Sequence, residues 1–294
     1  MSNLALEAVP QFRADYLVTR EKLGDRRPVE RIRAHYMLER QLAQRLLSSS
    51  KSDRGHVYTD VYAELFRMLP DHPQHIGSHL DPSDDIPDRI RLDLKYLQTF
   101  LLPDTVFLEI GCGDAEMSYA VANLVRSAYG LDVTDALIEY GRSPGNFRFV
   151  KTACTNIDLP DHSVDVAFSN QLMEHLHPDD AESQVREVVR VLRPGGSYLC
   201  RTPNRVTGPH DVSRYFDQTA TGFHLCEYDY GSVRQLFMRA GFRKVKFLMT
   251  SRGRKAPFPY WVAQSVELAL RQFPQLKRSR VLAHLMELNV VGVM

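Results

Sequence analysis

The sequence predicts an α/β protein in which helices cover a mostly parallel sheet, with a helical segment preceding that domain. Along residues 102–294, short apolar runs that end in turn residues alternate with segments whose apolar residues recur every three or four positions. Such alternation is typical of strand–helix–strand units, whose strands pair in parallel. Residues 1–85 predict helices, for example between Ile32 and Leu46, where apolar residues recur at helical spacing.

The central element is the stretch 106–121. Its first five residues predict a buried strand that carries a single acid, Glu109, and a turn containing Gly111 and Gly113 follows. An amphipathic helix comes next, beginning near Glu116. Glycines allow close approach of the backbone to a ligand, and a helix N-terminus offers unpaired N–H groups. The stretch therefore predicts a binding turn for a nucleotide-type cofactor.

Two observations bear on which cofactor binds there. A dinucleotide-binding turn needs a small third residue where this chain has Glu116, which disfavours NAD. Asp132 ends the next predicted strand, 19 residues after Gly113, and a carboxylate at about 20 residues contacts ribose hydroxyls in nucleotide-binding units. We expect Asp132 to hold the ribose of the cofactor.

The segment that contains Glu109, Gly111 and Gly113 resembles the first motif of class I S-adenosylmethionine (SAM)-dependent methyltransferases. Later segments follow in the family's order and spacing over residues 102–294. The resemblance implies SAM as cofactor and a Rossmann-like, seven-stranded, mostly parallel sheet whose last strand is antiparallel. The strands are predicted at 106–110, 127–132, 146–150, 163–169, 197–201, 245–249 and 288–294.

The resemblance also implies a set of cofactor-binding residues. In the family, an acidic residue in a loop before Leu-Pro contacts adenine, but Thr155 occupies that place here, and Asn156 is a second candidate for the contact. The remaining predicted cofactor contacts are Glu109, Gly111, Cys112, Gly113, Asp132, Val133 and Asn170.

Methyl transfer to a hydroxyl requires removal of a proton, by a general base or with the help of a metal. The segment Gln171-x-x-Glu174-His175 resembles the Glu-x-x-Glu-His motif of ubiquinone-biosynthesis and small-RNA O-methyltransferases, which bind a divalent metal together with a later histidine. His224 resembles that later histidine. One hypothesis is direct base catalysis by His224 or His175, and another is Mg²⁺ or another divalent metal held by Glu174, His175 and His224. The amide of Gln171 replaces a carboxylate and disfavours Mg²⁺, and purely structural histidines are the third interpretation.

A polar loop at 202–228 follows a predicted strand, at the sheet edge where open α/β sheets bind ligands. Four of its residues are predicted to contact the methyl acceptor: His210, Arg214, Tyr215 and Tyr228. Loops of this kind are often polar without any such contact.

The predicted domain organisation has two parts. Residues 1–85 are predicted to form a helical extension. We expect it to act either as a lid over the acceptor site or in the formation of a homodimer. Residues 86–294 form the methyltransferase domain, with a helical insertion at about 251–287. Residues 250–280 contain seven basic residues and one acid. Such a stretch could contact an anionic acceptor, an acidic face of another subunit or a membrane surface, or it could simply face solvent.

Composition and charge limit the function classes. The formal net charge of +1 indicates no polyanionic partner, so nucleic acid is disfavoured. The four cysteines follow no metal or disulfide spacing and no transmembrane segment or signal peptide is expected, which predicts a cytoplasmic protein. The predicted function is O-methylation of a small molecule or sugar unit. An RNA 2′-O-methyltransferase, a non-catalytic SAM-binding protein and an NAD-linked oxidoreductase are the alternatives.

Overall fold

The computed structural model describes residues 9–70, 88–152, 155–251, 254–273 and 285–294. Within these ranges, one eight-stranded sheet forms with the order β3-β2-β1-β4-β5-β8-β6-β7. The first five strands are parallel, and β8 pairs antiparallel with β5 and β6. The strands are β1 Val106–Ile110, β2 Ser127–Asp132, β3 Phe147–Lys151, β4 Val164–Asn170, β5 Leu192–Thr202, β6 Lys244–Ser251, β7 Arg254–Pro257 and β8 Leu288–Val293.

The mostly parallel α/β fold with antiparallel C-terminal strands is confirmed, and the structure adds an eighth strand. Strand β7, Arg254–Pro257, pairs antiparallel with β6 at the edge of the sheet. The sequence analysis placed an insertion at this point. The eight described α-helices are α1 Tyr16–Leu23, α2 Val29–Leu47, α3 Arg54–Met68, α4 Asp88–Leu97, α5 Glu116–Ala122, α6 Pro178–Val191, α7 Tyr230–Ala240 and α8 Tyr260–Gln272.

The core lies on both faces of the sheet. All five residues of β1 are buried, and alternate residues belong to different clusters, because successive side chains of a strand point to opposite faces. Leu108 packs with residues of α6 and α7, among them Val185 and Phe237. Phe107 packs with residues of α4 and α5, among them Leu97. This double coverage explains why β1 is an uninterrupted apolar run apart from one acid.

The N-terminal helices pack against the loop that follows β5. Tyr36 of α2 stacks on Phe216 of that loop with ring centroids 4.2 Å apart. Leu42 and Leu65, from α2 and α3, belong to one apolar cluster with Phe223. The predicted helical extension is therefore joined to the sheet domain by buried side chains.

The predicted insertion contains helix α8, on which Trp261 is 72% exposed. Arg252 and the basic residues of 277–280 lie outside the described residues, so the basic excess of this stretch has no structural account. None of the described helices is long and apolar enough to span a bilayer.

Candidate cofactor and acceptor site

The turn after β1 requires glycine. Gly111 and Gly113 have φ angles of 72° and 53°, in the left-handed region that L side chains rarely adopt. The backbone N–H groups of Gly111 and Cys112 donate to the carbonyl of Leu131 at 2.7 and 3.1 Å. A Cβ at Gly111 would lie 2.9 Å from Cδ1 of Leu172. The turn is thus hydrogen-bonded to β2 and has no room for a side chain at Gly111 on the side of Leu172.

A cavity of about 470 Å³ opens beside this turn. It lies at the carboxyl ends of β1, β2 and β4, the edge at which open α/β sheets bind their ligands. Seven of the predicted cofactor residues line it: Glu109, Gly111, Cys112, Gly113, Asp132, Val133 and Asn170.

The two residues predicted to contact adenine follow β3. Thr155 is partly buried and Asn156 is exposed, and neither is among the described residues that line the cavity. Thr152 lines it instead, because this residue is the first one past the carboxyl end of β3. Its hydroxyl donates to the carbonyl of Asn156. Residues 153 and 154 lie outside the described residues.

Asp132 holds the backbone of the turn through its carboxylate. Oδ2 accepts from the N–H of Gly113 at 2.9 Å, and Oδ1 accepts from the N–H of Val133 at 2.7 Å. Burial raises the pKa of Asp132, and these backbone donors oppose the rise. The carboxylate therefore reaches the cavity from a fixed position.

Glu109 is buried and its Oε2 accepts from the hydroxyl of Ser118 at 2.5 Å. Burial raises the pKa of Glu109 to about 8. Burial thus favours the protonated form of this side chain, directly beside the glycine turn.

His175 also lines the cavity, so one cavity contains both the cofactor turn and a candidate base. The residue ends the short 3₁₀ turn Met173–His175, which follows β4. Its Nδ1 lies 2.9 Å from the carbonyl oxygen of Phe223. Since a carbonyl only accepts, Nδ1 carries the proton, and Nε2 is the basic nitrogen of the neutral ring.

His224 packs against His175 but does not line the cavity. The two ring centroids are 4.9 Å apart with an interplanar angle of 87°. Nδ1 of His224 contacts Oε1 of Glu227 at 2.8 Å. Burial lowers the pKa of His224, but Glu227, Glu174 and Asp211 outweigh it, so that the pKa lies above its ordinary value.

Glu174 completes the cluster. Its Oε2 accepts from the hydroxyl of Thr202 at 2.8 Å, and its Oε1 is buried without a hydrogen-bond partner in the described part of the chain. Burial raises the pKa of Glu174 to about 7. The potential ligand atoms of Glu174, His175 and His224 all lie within 4.8 Å of one another. The structure thus brings together the three residues that the sequence singled out for a metal.

Comparisons with known proteins agree with this geometry. A family model described as a methyltransferase domain matches residues 108–200. The chain carries a class I SAM-dependent methyltransferase domain. A probable SAM-dependent methyltransferase of Mycolicibacterium smegmatis is 35% identical over 140 residues, covering 46% of this chain and 51% of the relative. A probable SAM-dependent methyltransferase of Mycobacterium tuberculosis is 32% identical over 136 residues, 46% of this chain and 47% of the relative.

The chain thus spans about half the length of these curated relatives. A phosphoethanolamine N-methyltransferase of Arabidopsis thaliana is 27% identical over 164 residues, which cover 52% of this chain and 30% of the relative. Among solved structures, phosphoethanolamine N-methyltransferase 1 of Haemonchus contortus, in complex with phosphoethanolamine and S-adenosylhomocysteine, matches with a TM-score of 0.53 and 15% identity. That match covers 82% of this chain and 50% of the other, and it shows the fold alone.

The cofactor of such a methyltransferase domain is SAM, which carries a sulfonium and an ammonium. Besides Glu109, whose protonated form burial favours, three acids are among the described residues that line the cavity, namely Asp93, Asp114 and Asp132. The same described lining contains neither lysine nor arginine. The charge of the cavity therefore favours a cation over an anion.

The predicted acceptor residues of the methyltransferase domain hold their own loop together. None of His210, Arg214, Tyr215 and Tyr228 is among the described residues that line the cavity. Nε2 of His210 lies 3.0 Å from the carbonyl of Asn204, and Nε of Arg214 donates to the carbonyl of Asp211 at 2.7 Å. A polar loop that packs under two helices must satisfy its own donors and acceptors, which accounts for these contacts. A role of the four residues in acceptor binding stays a prediction.

Tyr215 and Tyr228 are both buried. The hydroxyl of Tyr215 donates to Oδ2 of Asp25 at 2.8 Å, which joins the loop to the N-terminal segment. Burial raises the pKa of Tyr215 to about 12, and it also raises the pKa of Tyr228.

The lining of the cavity also contains residues of helices α3 and α4 that the sequence analysis did not single out. Tyr58, Tyr62 and Phe66 of helix α3 line it, and so does Asp93 of helix α4. The only signal for the aromatic residues is their spacing of four, which places them on one face of a helix. Aromatic residues at this spacing are equally typical of a helix face that packs into the protein core.

Proposed function

We propose that this protein transfers the methyl group of SAM to a hydroxyl group of a small molecule or a sugar unit, with His175 as the general base. The observation that carries the proposal is the position of His175 in the same cavity as the glycine turn and Asp132. A base that acts on the acceptor must reach the atom that meets the methyl group.

The hydrogen bond to Phe223 supports this role. It fixes the tautomer of His175: Nδ1 carries the proton, and Nε2 is the nitrogen of the neutral ring that can accept one. The sulfonium activates the methyl group by itself, and the protein aligns the reactants and excludes water. Proximity and orientation of this kind supply about 7 to 11 kcal/mol.

The lining supports a neutral acceptor. Tyr58, Tyr62 and Phe66 provide an aromatic wall on one side of the cavity. The described lining has no lysine or arginine to neutralise a phosphate, which disfavours phosphoethanolamine and RNA as acceptors. We therefore favour hydroxyl groups on phenolic or glycosyl rings, which stack on aromatic side chains.

The test measures formation of S-adenosylhomocysteine from SAM with catechol, simple phenols and methyl glycosides as acceptors. Phosphoethanolamine and an RNA oligonucleotide are the competing acceptors. His175→Ala is expected to lower kcat about 10²- to 10⁴-fold, whereas His56→Ala, at an exposed position of helix α3, leaves kcat unchanged. Transfer only to an amine or to RNA contradicts the proposed acceptor, and a near-normal rate of His175→Ala contradicts the proposed base.

A divalent metal is a second candidate, favoured by the buried Oε1 of Glu174, which has no hydrogen-bond partner among the residues that the structure describes. The side chains that would hold it are Glu174, His175 and His224. Nδ1 of His175 contacts the carbonyl of Phe223, and Nδ1 of His224 contacts the carboxylate of Glu227. Most metal-binding histidines have such an oxygen partner on the nitrogen that does not bind the metal. A donor set with two imidazoles suits Zn²⁺, Fe²⁺ or Mn²⁺ better than Mg²⁺.

A bound metal would lower the pKa of the acceptor hydroxyl. Titration of the purified protein with Zn²⁺ and Mn²⁺ in a calorimeter, and methyl transfer before and after dialysis against EDTA, separate the two mechanisms. Unchanged transfer after EDTA excludes the metal. If EDTA abolishes transfer and added Mn²⁺ or Zn²⁺ restores it, direct base catalysis without metal is excluded. Glu174→Gln should then no longer bind the metal.

A further inference from the structure

Three consecutive backbone N–H groups in the loop that follows β5 donate to two buried carboxylates. Oδ2 of Asp211 accepts from the N–H of Gly222 at 3.0 Å and from the N–H of His224 at 3.3 Å. Oε2 of Glu39, on helix α2, accepts from the N–H of Phe223 at 3.1 Å. Both acids are buried, so water competes little for these hydrogen bonds. The three residues are therefore held by an acid of their own loop and by an acid of the helical extension.

The close approach of the two acids depends on the absence of a side chain at Gly222. A Cβ at this residue would lie 2.6 Å from Oε2 of Glu39 and 2.7 Å from Oδ2 of Asp211. Atoms at such distances overlap, so any larger residue at this position displaces at least one carboxylate. Glycine is thus required here for space.

Each carboxylate is itself held by further hydrogen bonds. Oδ1 of Asp211 accepts from the backbone N–H of Ser213 at 3.0 Å and from the hydroxyl of the same residue. Oε1 of Glu39 lies 2.7 Å from Nε2 of His35, and Nδ1 of His35 lies 2.6 Å from Nη1 of Arg27. Because a guanidinium only donates, Nδ1 of His35 accepts and its Nε2 donates to Glu39.

The segment that the two acids hold carries the acceptor for the proposed base. The carbonyl of Phe223 accepts from Nδ1 of His175 at 2.9 Å. This carbonyl and the N–H of His224 belong to one planar peptide group, so the N–H bond to Asp211 also sets the direction of the carbonyl. Consecutive hydrogen bonds of this kind strengthen one another. The orientation of the His175 ring therefore depends on residues that lie one peptide group away from it.

We propose that Asp211 and Glu39 are positioning residues for methyl transfer, which act through the peptide groups of residues 222–224 to hold the ring of His175 with Nε2 towards the acceptor hydroxyl. Neither acid is among the described residues that line the cavity. The proposal rests on the proposed function, since His175 is the base of that function. Because both acids act through His175, their effect on the rate should vanish where His175 is absent.

A first test needs no acceptor. In protein with isotope-labelled histidine rings, long-range proton–nitrogen correlation spectra at alkaline pH show which ring nitrogen carries the proton. The signals of His175 are those that disappear in His175→Ala. We expect the proton on Nδ1 in the wild type, and exchange between both nitrogens in Asp211→Asn and Glu39→Gln. A proton on Nε2 of the wild-type ring, or unchanged signals in both variants, overturns the proposal.

A second test is a double-mutant cycle in methyl transfer, with the best acceptor among catechol, simple phenols and methyl glycosides. Asp211→Asn and Glu39→Gln should each lower kcat about 10- to 100-fold, the effect of a displaced catalytic group. KM and the affinity for S-adenosylhomocysteine should stay within about twofold, because neither acid touches a ligand. In a His175→Ala background, the same substitutions should lower the residual kcat by less than about twofold. A loss as large as in the wild-type background indicates a merely structural role and overturns the proposal.

Gly222→Ala tests the close approach of the acids, and Gly145→Ala is its matched control. Gly145 lies in an exposed turn with nothing within 4 Å of an added Cβ. Gly222→Ala should lower kcat as the acid substitutions do, whereas Gly145→Ala should leave it unchanged. A normal kcat of Gly222→Ala overturns the proposal. Glu39→Gln keeps one acceptor oxygen and the size of the side chain, so it provides the test even where Gly222→Ala or Asp211→Asn fails to fold.

The failure of this proposal can be distinguished from failure of the proposed function. If His175→Ala loses activity while Asp211→Asn and Glu39→Gln keep the wild-type kcat, only the positioning role is overturned. If His175→Ala keeps the wild-type kcat, the proposed base is overturned, and the positioning role with it.

Discussion

Replacement of Gly111 by alanine tests how closely the turn after β1 is tied to the cavity. The φ angle of 72° costs an L side chain about 1–2 kcal/mol. The new Cβ would also lie 2.9 Å from Cδ1 of Leu172. Leu172 lines the cavity and its side-chain end can move, so relief of this contact shifts the leucine rather than the backbone. We expect Gly111→Ala to lose about 1–3 kcal/mol of unfolding free energy and to bind S-adenosylhomocysteine more weakly.

Gly24→Ala is the matched control for this experiment. Gly24 has a φ angle of 66°, ends helix α1, and has nothing within 4 Å of an added Cβ. It should lose about 1–2 kcal/mol in urea unfolding and keep its affinity for S-adenosylhomocysteine in calorimetry. The reasoning is refuted where Gly111→Ala is as stable as the wild type, or where both variants bind the ligand equally well.

Three further outcomes follow from buried acids. Asp132→Asn should weaken S-adenosylhomocysteine binding by tenfold or more in calorimetry, about 1.4 kcal/mol, and unchanged affinity would remove Asp132 from the site. Because burial raises the pKa of Glu109 to about 8, the folded protein binds this proton more tightly than the unfolded chain, so unfolding free energy should fall as pH rises from about 4.5 to about 8. In urea unfolding at several pH values, Glu109→Gln should reduce that slope, and an equal slope contradicts the assignment. Glu39→Ala removes the carboxylate that accepts from the N–H of Phe223 at 3.1 Å, and it should lower the free energy of unfolding in urea by about 1–3 kcal/mol. A stability equal to that of the wild type would argue against this contact.

The sheet could be predicted from the sequence because its strands are short apolar runs with clear ends. Each of the five parallel strands lies within a few residues of its predicted place, and Asp132 ends β2 as expected. Strand β7 escaped prediction because Arg254–Pro257 is polar and contains proline, which is tolerated only at a sheet edge. Its position is fixed by pairing with β6, a long-range property that local periodicity does not encode.

More of the predicted cofactor residues than of the predicted acceptor residues line the cavity, for a physical reason. Residues such as Gly111 and Asp132 lie in or directly after strands, so their sequence position fixes their place at the sheet edge. The residues of the 202–228 loop have no such constraint. Whether His210 or Tyr215 faces the cavity depends on hydrogen bonds to other parts of the chain, such as the contact of Tyr215 with Asp25.

The N-terminal helices show why the acceptor site could not be read from the methyltransferase domain alone. Oε2 of Glu39 in helix α2 accepts from the N–H of Phe223, and the carbonyl of Phe223 accepts from Nδ1 of His175. One residue of the loop thus connects the helical extension to the proposed base. Helix α3 adds Tyr62 and Phe66 to the wall of the same cavity. Because the extension contacts the residue that holds His175 and also lines the cavity, we expect Phe66→Ala to change the relative rates of methyl transfer to different acceptors more than the affinity for S-adenosylhomocysteine in calorimetry. Equal loss of both would argue against this expectation.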